Sequence, residues 1–201
     1  ESAPPVRSVT AMEAMDRSEL RARRALVVYE SMFGNGRTVA EAIARGLSAG
    51  LEARAVAVHV VDAEEVAAAD LLVVGGPTHM HGLASAMSRR TAVQIATDAG
   101  VDLEPCATAE PTLRTWLSGL HGERRRAAAF DTRSDHSVTI SGSAARGIAK
   151  RLRRHGYVIA ADSNSFFVDD TTGPLSDGEL VRAERWGAGL ARLIIGEPAV
   201  S

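Results

Sequence analysis

A chain of 201 residues can enclose one domain with a substantial core, and its make-up, 45% hydrophobic and 24% charged, is that of a globular protein. A formal net charge of −2 gives no general case for binding nucleic acid or a membrane surface, and no apolar run approaches the ~18 residues that a membrane span needs. Cys106 is the only cysteine, so neither an intrachain disulfide nor a cysteine-based metal cluster can form.

The first residues show no sequence of charge, apolar core and small-residue cleavage site, which makes the cytoplasm the expected compartment. Residues 1–24 read as a tail: Ser and two prolines argue for disorder through Thr10, and the polar stretch after it is at most a loose helix. Residues 25–201 read as one domain in which strand and helix alternate. Strand 1 is the β-branched apolar run 25–30. The amphipathic helix 36–49 follows, with Val39, Ala42, Ile43 and Leu47 on one face. Strand 2 spans 52–60 and a short helix 62–68. Strand 3, 71–75, is a continuous apolar run bounded by Gly-Gly-Pro, as expected of a strand covered on both faces in a parallel sheet. A helix near 83–97 and a loop over 98–110 come next. Pro111 is suited to the first position of a helix running to about Gly119. Strand 4 is 127–130. An Arg-rich amphipathic helix covers 143–155 and is closed by Gly156. Strand 5 covers 157–161 and resumes at 165–168, and a last helix, 176–195, is stopped by Gly196 and Pro198.

This alternation predicts a doubly wound α/β fold: a five-stranded parallel sheet in the order 2-1-3-4-5 with helices on both faces. In that order ligands bind beyond the carboxyl ends of strands 1 and 3, where the chain reverses its winding. Both loops there are rich in glycine, 31–36 and 75–82. The first leads from a strand through a small-residue turn into a helix. Such a turn aims free main-chain N–H groups and the positive helix end at one point, which suits a phosphate. A dinucleotide fingerprint fails on spacing, because Val39 stands where its third glycine belongs. A Walker A loop fails too, with Met32 at its first glycine and Arg37 in place of its lysine.

The remaining pattern, Ser-x-x-Gly-Asn-x from Ser31 to Gly36, resembles the FMN phosphate loop of flavodoxins. The second loop, Gly-Gly-Pro-Thr-His-Met-His-Gly from Gly75 to Gly82, resembles the Gly-x-Pro-Thr loop of flavodoxin-like proteins, including quinone-reducing flavoproteins. The stretch 127–134, followed by Ser-Gly-Ser-Ala-Ala from Ser141, falls where that family has its third flavin-contacting loop. The resemblance covers about 25–195. It implies an FMN-binding redox protein that passes electrons between a reductant and a partner protein or small acceptor, and it leaves homo-oligomerisation open. It also implies the cofactor-binding residues: Ser31, Met32, Phe33, Gly34, Asn35, Gly36, Arg37 and Thr38 in the first loop, Pro77, Thr78, His79, Met80, His81 and Gly82 in the second, and Asp131, Thr132 and Arg133 in the third. The cofactor would carry the chemistry, so no acid or base residue is assigned.

The chain departs from the family at Phe33 and Gly36, where flavodoxins usually direct Ser or Thr hydroxyls at the phosphate. No Trp or Tyr is evident for the ring, since Tyr29 and Tyr157 fall in strands and Trp116 and Trp186 in helices. Weak FMN binding is therefore expected, and a threonine at Gly36 is expected to tighten it if φ there is negative. The alternative is a fold of this type that has lost FMN and serves as a binding or scaffolding module. A phosphoacceptor receiver would need carboxylates ending strands 1 and 3, and strand 3 ends in Gly-Gly-Pro. A hydrolase would need a G-x-S-x-G elbow, which is missing. His79 and His81 lack the carboxylate or cysteine neighbours of a metal site. Cys106, in a Glu-Pro-Cys-Ala-Thr loop without a basic activator, reads as an ordinary thiol.

Overall fold

The computed structural model describes residues 22–79, 82–134 and 142–196. Nearly all of the expected tail, residues 1–21, lies outside the described residues, as do Met80, His81 and 135–141. In chain order the elements are β1 (Arg24–Tyr29), α1 (Asn35–Leu47), β2 (Glu52–Ala57), α2 (Ala63–Ala68), β3 (Leu71–His79), β4 (Gly82–Leu83), α3 (Ala86–Ala99), a 3₁₀ turn (Pro105–Ala107), α4 (Leu113–Ser118), β5 (Arg126–Ser134), α5 (Ala144–Arg154), β6 (Val158–Ile159), β7 (Asn164–Val168) and α6 (Glu179–Gly196).

The strands run β2-β1-β3-β5-β6, all parallel, and β7 continues the outer strand along the carboxyl half of β5. This is the expected order 2-1-3-4-5, with strand 5 in two pieces. The short β4 folds back antiparallel on the end of β3. Alternation along β1 divides the core. Ala25, Val27 and Tyr29 meet α1 and α6 on one face, while Leu26 and Val28 meet α2, α4 and α5 on the other. Each large aliphatic side chain buried this way contributes about 1.5–3 kcal/mol. α1 and α6 cross in close contact because each presents a glycine at the crossing. A Cβ on Gly46 would strike the main chain at Glu184 and Ala188, and one on Gly187 would strike the main chain of Ile43.

Several boundaries differ from the sequence expectation. β3 does not stop at Gly75 but runs on to His79, and β5 continues to Ser134. Gly75 and Gly76 are strand glycines that make room for the Phe130 ring and the Leu113 side chain, not turn glycines. β2 ends at Ala57, before a turn. Pro111 does not open α4; Thr112 caps that helix, its hydroxyl accepting from the Thr115 amide at 3.1 Å.

Candidate functional site

The turn after β1 is shaped by its own main chain. The Glu30 amide donates to the Gly75 carbonyl at 3.0 Å, so sheet pairing reaches the edge of the turn. Ser31, 1% exposed, then accepts the Gly34 amide on its hydroxyl at 3.1 Å. Gly34 caps α1 at φ 91°, a left-handed conformation that suits glycine. The first helical bond runs from Thr38 to Gly34 at 3.0 Å. The amides of Asn35, Gly36 and Arg37 precede it and have no intrahelical partner. They stand at the positive end of the helix dipole, and the first turn holds no acidic residue.

Asn35 and Gly36 belong to one wall of a small open cleft of about 90 Å³. Ser31, Met32, Phe33, Asn35 and Gly36 line that wall. Pro77 and Thr78 from β3 and Thr132, Arg133 and Ser134 from β5 line the opposite one, and Val168 and Thr171 close the side beyond β7. The cleft lies at the carboxyl ends of the strands, over the β1–β3 switch point. All three expected segments thus meet, although in the second and third the lining residues belong to strands rather than loops. His79 is paired with Gly82 at the β3–β4 hairpin, and a Cβ on Gly82 would meet no atom within 4 Å.

Several side chains expected to face the ligand are engaged elsewhere. The Thr38 hydroxyl donates back to the Gly34 carbonyl at 3.0 Å. The Asn35 side-chain amide donates to the Gly173 carbonyl at 2.7 Å. Arg37 pairs with Glu104 at 3.0 Å. Across the cleft, Asp131 is fully buried, and one carboxylate oxygen accepts from the Thr78 hydroxyl (2.9 Å), the Ser143 hydroxyl (2.7 Å) and the Ala145 amide (2.9 Å). The Thr78 hydroxyl in turn accepts from the Ala144 amide at 2.9 Å. Asp131 therefore ties β3 and β5 to the N-terminus of α5. Its other oxygen, Oδ1, is buried without a partner among the described residues. The Arg133 guanidinium donates to the Gly142 carbonyl at 3.1 Å and lies 5.3 Å from the centre of the Phe167 ring.

Family comparison gives the same architecture. The flavodoxin family model matches residues 27–120. The fold is flavodoxin-like. Among solved structures, a flavodoxin from the domain Archaea is 19% identical, covers 86% of this chain and 99% of its own, and superposes with a TM-score of 0.56. The flavodoxin, WrbA-like protein of Agrobacterium tumefaciens is 17% identical over 88% of this chain and 100% of its own, with the same TM-score of 0.56. Flavodoxin 1 of Bacillus cereus is 13% identical over 88% and 99%, also at 0.56. At these identities the likeness is one of fold. Among curated proteins no sequence relative matches this chain.

In this flavodoxin-like fold the turn after β1 is braced by the segment Glu104–Cys106, within the stretch 98–110 whose sequence pattern is that of a loop. The Cys106 sulfur accepts the Ser31 amide at 3.2 Å and returns its proton to the Ser31 carbonyl at 3.0 Å. The Glu104 amide donates to the Met32 carbonyl at 2.9 Å. Burial holds the Cys106 thiol above its ordinary pKa despite the Ser31 amide, so it stays protonated at neutral pH. Beneath the turn Glu30, 1% exposed, pairs with Arg89 at 3.0 Å. Burial pushes the Glu30 carboxyl up, and Arg89 draws it only part of the way back. Nothing in local spacing marks these partners, because 75 residues separate Ser31 from Cys106 and 59 separate Glu30 from Arg89. Phe33, where flavodoxins usually place a hydroxyl, lines the cleft and gives it an aromatic surface.

The expected gain from a threonine at Gly36 does not fit this geometry. Gly36 lacks the positive φ that would bar a side chain. A Cβ there would nevertheless come within 2.8 Å of the Glu30 carbonyl oxygen and 3.2 Å of Ser31 Cβ. Close main-chain approach, not hydroxyl chemistry, accounts for this glycine.

Proposed function

We propose that this protein binds FMN in the cleft and passes electrons between a reductant and a partner protein or small acceptor. The observation that carries this reading is the run of amides at Asn35, Gly36 and Arg37 that lack an intrahelical partner, at a helix N-terminus whose Asn35 and Gly36 line a cleft at the sheet's switch point. The donor set suits a phosphate: main-chain N–H groups, plus the Ser31 hydroxyl, which already accepts from Gly34 and has its proton to give. Met32 and Phe33 would supply soft and aromatic surface to a flat ring. Thr132 would offer a polar group to sugar-type hydroxyls beside Thr78. When bound, FMN supplies one- and two-electron transfer. This chain's residues would hold its phosphate, exclude water from the cleft floor and fix the ring's surroundings. A cytoplasmic location fits such a carrier.

A second reading, a fold of this type that has lost FMN and acts as a binding module, is favoured by one specific observation. The side chains of Thr38, Asn35 and Arg37 are all engaged away from the turn. Absorbance of the purified protein separates the two readings. A flavin spectrum whose released chromophore co-elutes with FMN, or calorimetric binding of FMN tighter than of riboflavin, supports the first. A colourless protein that binds neither flavin supports the second.

A further inference from the structure

Glu104 stands where a carboxylate opposes an anionic ligand. Its amide is fixed to the Met32 carbonyl at 2.9 Å, and two residues on Cys106 is fixed to Ser31, so the segment cannot drift from the turn. Its Oε1 lies 3.0 Å from Arg37 and 3.5 Å from the position a Cβ on Gly34 would take, beside the capping residue of α1. The side chain is 19% exposed, against 48% for Arg37, so the acid is the more enclosed of the pair. Arg37 is the cation of the first helical turn, and Glu104 engages it on the very end of the helix that attracts anions.

We propose that Glu104 sets how strongly this cleft takes a phosphate, as a built-in anion that competes with the ligand for Arg37 and for the positive end of α1. The proposal rests on the FMN reading for the ligand's identity, but phosphate recognition itself is testable without flavin. A ligand phosphate arriving at the amides of Asn35 to Arg37 meets the charge of Glu104. Arg37 contributes to the phosphate only by leaving the carboxylate. Removing the negative charge while keeping the side chain's shape releases Arg37 and lifts the repulsion. Both effects act on the phosphate and neither acts on an uncharged flavin, which separates this role from simple bracing of the turn.

The test uses the full chain, wild type and Glu104→Gln, titrated with inorganic phosphate while the amide resonances of Asn35, Gly36 and Arg37 are followed. Calorimetry with FMN and with riboflavin runs alongside. Glu104→Gln should tighten phosphate and FMN about tenfold, equivalent to ~1.4 kcal/mol, and leave riboflavin within about twofold. Arg37→Gln, which leaves Glu104 without its cation, should weaken phosphate and FMN by a similar factor with riboflavin again unmoved. Glu41→Gln, an equal change of net charge one turn along α1, should move neither. Phosphate binding that is unchanged or weaker in Glu104→Gln overturns the proposal, as does an equal gain for riboflavin or the lack of any amide shift with phosphate. Should Glu104→Gln fail to fold, Arg37→Gln decides alone. Phosphate tightening in a protein that binds neither flavin would leave the role of Glu104 standing and overturn the FMN reading.

Discussion

At the turn beside one wall of the cleft, residues 31–38, three main-chain amides lack an intrahelical partner while the side chains of Thr38, Asn35 and Arg37 turn away to other partners. On the other, Thr78, Asp131, Ser143 and the amides of Ala144 and Ala145 form a closed cluster of hydrogen bonds from which, among the described residues, only the buried Oδ1 of Asp131 is left out. The first wall offers a ligand its backbone, and the second offers mainly shape. On the proposed reading such a cleft needs no side-chain hydroxyl to take an anion, because main-chain amides can do so. It also means that substitutions on the two walls should fail differently, one in affinity and the other in stability.

The largest effect is expected on the closed wall. Asp131→Ala removes the acceptor of two hydroxyls and one amide in a fully buried place. A buried donor left unpaired costs about 1–3 kcal/mol, so a loss of ~3–5 kcal/mol is expected in urea unfolding. Next comes Gly36→Thr on the open wall. Forcing a side chain against the Glu30 carbonyl should cost about 1–3 kcal/mol and weaken FMN more than riboflavin, measured by unfolding and calorimetry on the same sample. Tighter FMN binding in that variant would refute the close-approach account.

The floor beneath the open wall adds a pH dependence. Folding raises the Glu30 carboxyl, so the native state holds that proton more tightly than the unfolded chain. Its contribution to stability is complete below the unfolded value, near 4.5, and is lost as pH rises through the folded one. Glu179 opposes it: burial pushes its carboxyl up, but Arg182 and the Phe167 amide bring it below its ordinary value. Its contribution is therefore present above that value and lost as pH falls. Glu30→Gln should accordingly make stability climb more steeply between pH 4 and 7 than in the wild type, in unfolding curves taken across that range. An unaltered slope would show that Glu30 ionises as freely folded as unfolded.

Smaller still, Cys106→Ala removes both bonds to Ser31 and should cost about 1–2 kcal/mol, while the wild-type thiol should resist alkylation at neutral pH until the protein unfolds. The smallest change sharpens the contrast between the walls. Thr38→Val should alter FMN affinity by less than about twofold, because that hydroxyl already serves the Gly34 carbonyl. A tenfold loss would mean the hydroxyl swings to the ligand.

What was legible in the chain was what local pattern encodes. The β1–turn–α1 unit, the parallel order of the strands and the meeting of the first two segments at the switch point follow from periodicity, glycine placement and the handedness of crossovers, and the third segment is implied by the family resemblance. Glycine was also the source of error. Gly75 and Gly76 read as turn signals, yet they admit Phe130 and Leu113 across the sheet, and β3 passes straight through them. Gly36 read as a missing hydroxyl, yet its want of a side chain is what lets the main chain of Glu30 approach. The brace of Glu104 and Cys106 on the turn, and the pairing of Asn35 with Gly173, join parts of the chain that no short-range pattern connects. They are settled only when the tertiary structure brings them together.

The reciprocal glycines where α1 crosses α6 carry a consequence for the order of assembly. α1 is translated early and α6 last, so the face of α1 that receives α6, around Ile43 and Gly46, has no helix over it while most of the domain is being made. Contacts so distant in sequence are slow to form, and an exposed apolar helix is a hazard in the interval. The crossing admits no side chain at Gly46 or Gly187, so α6 can dock in one alignment only and then holds α1 from behind. The turn at the front of α1, encoded near the beginning of the domain, thus gains its support from behind only when α6 docks.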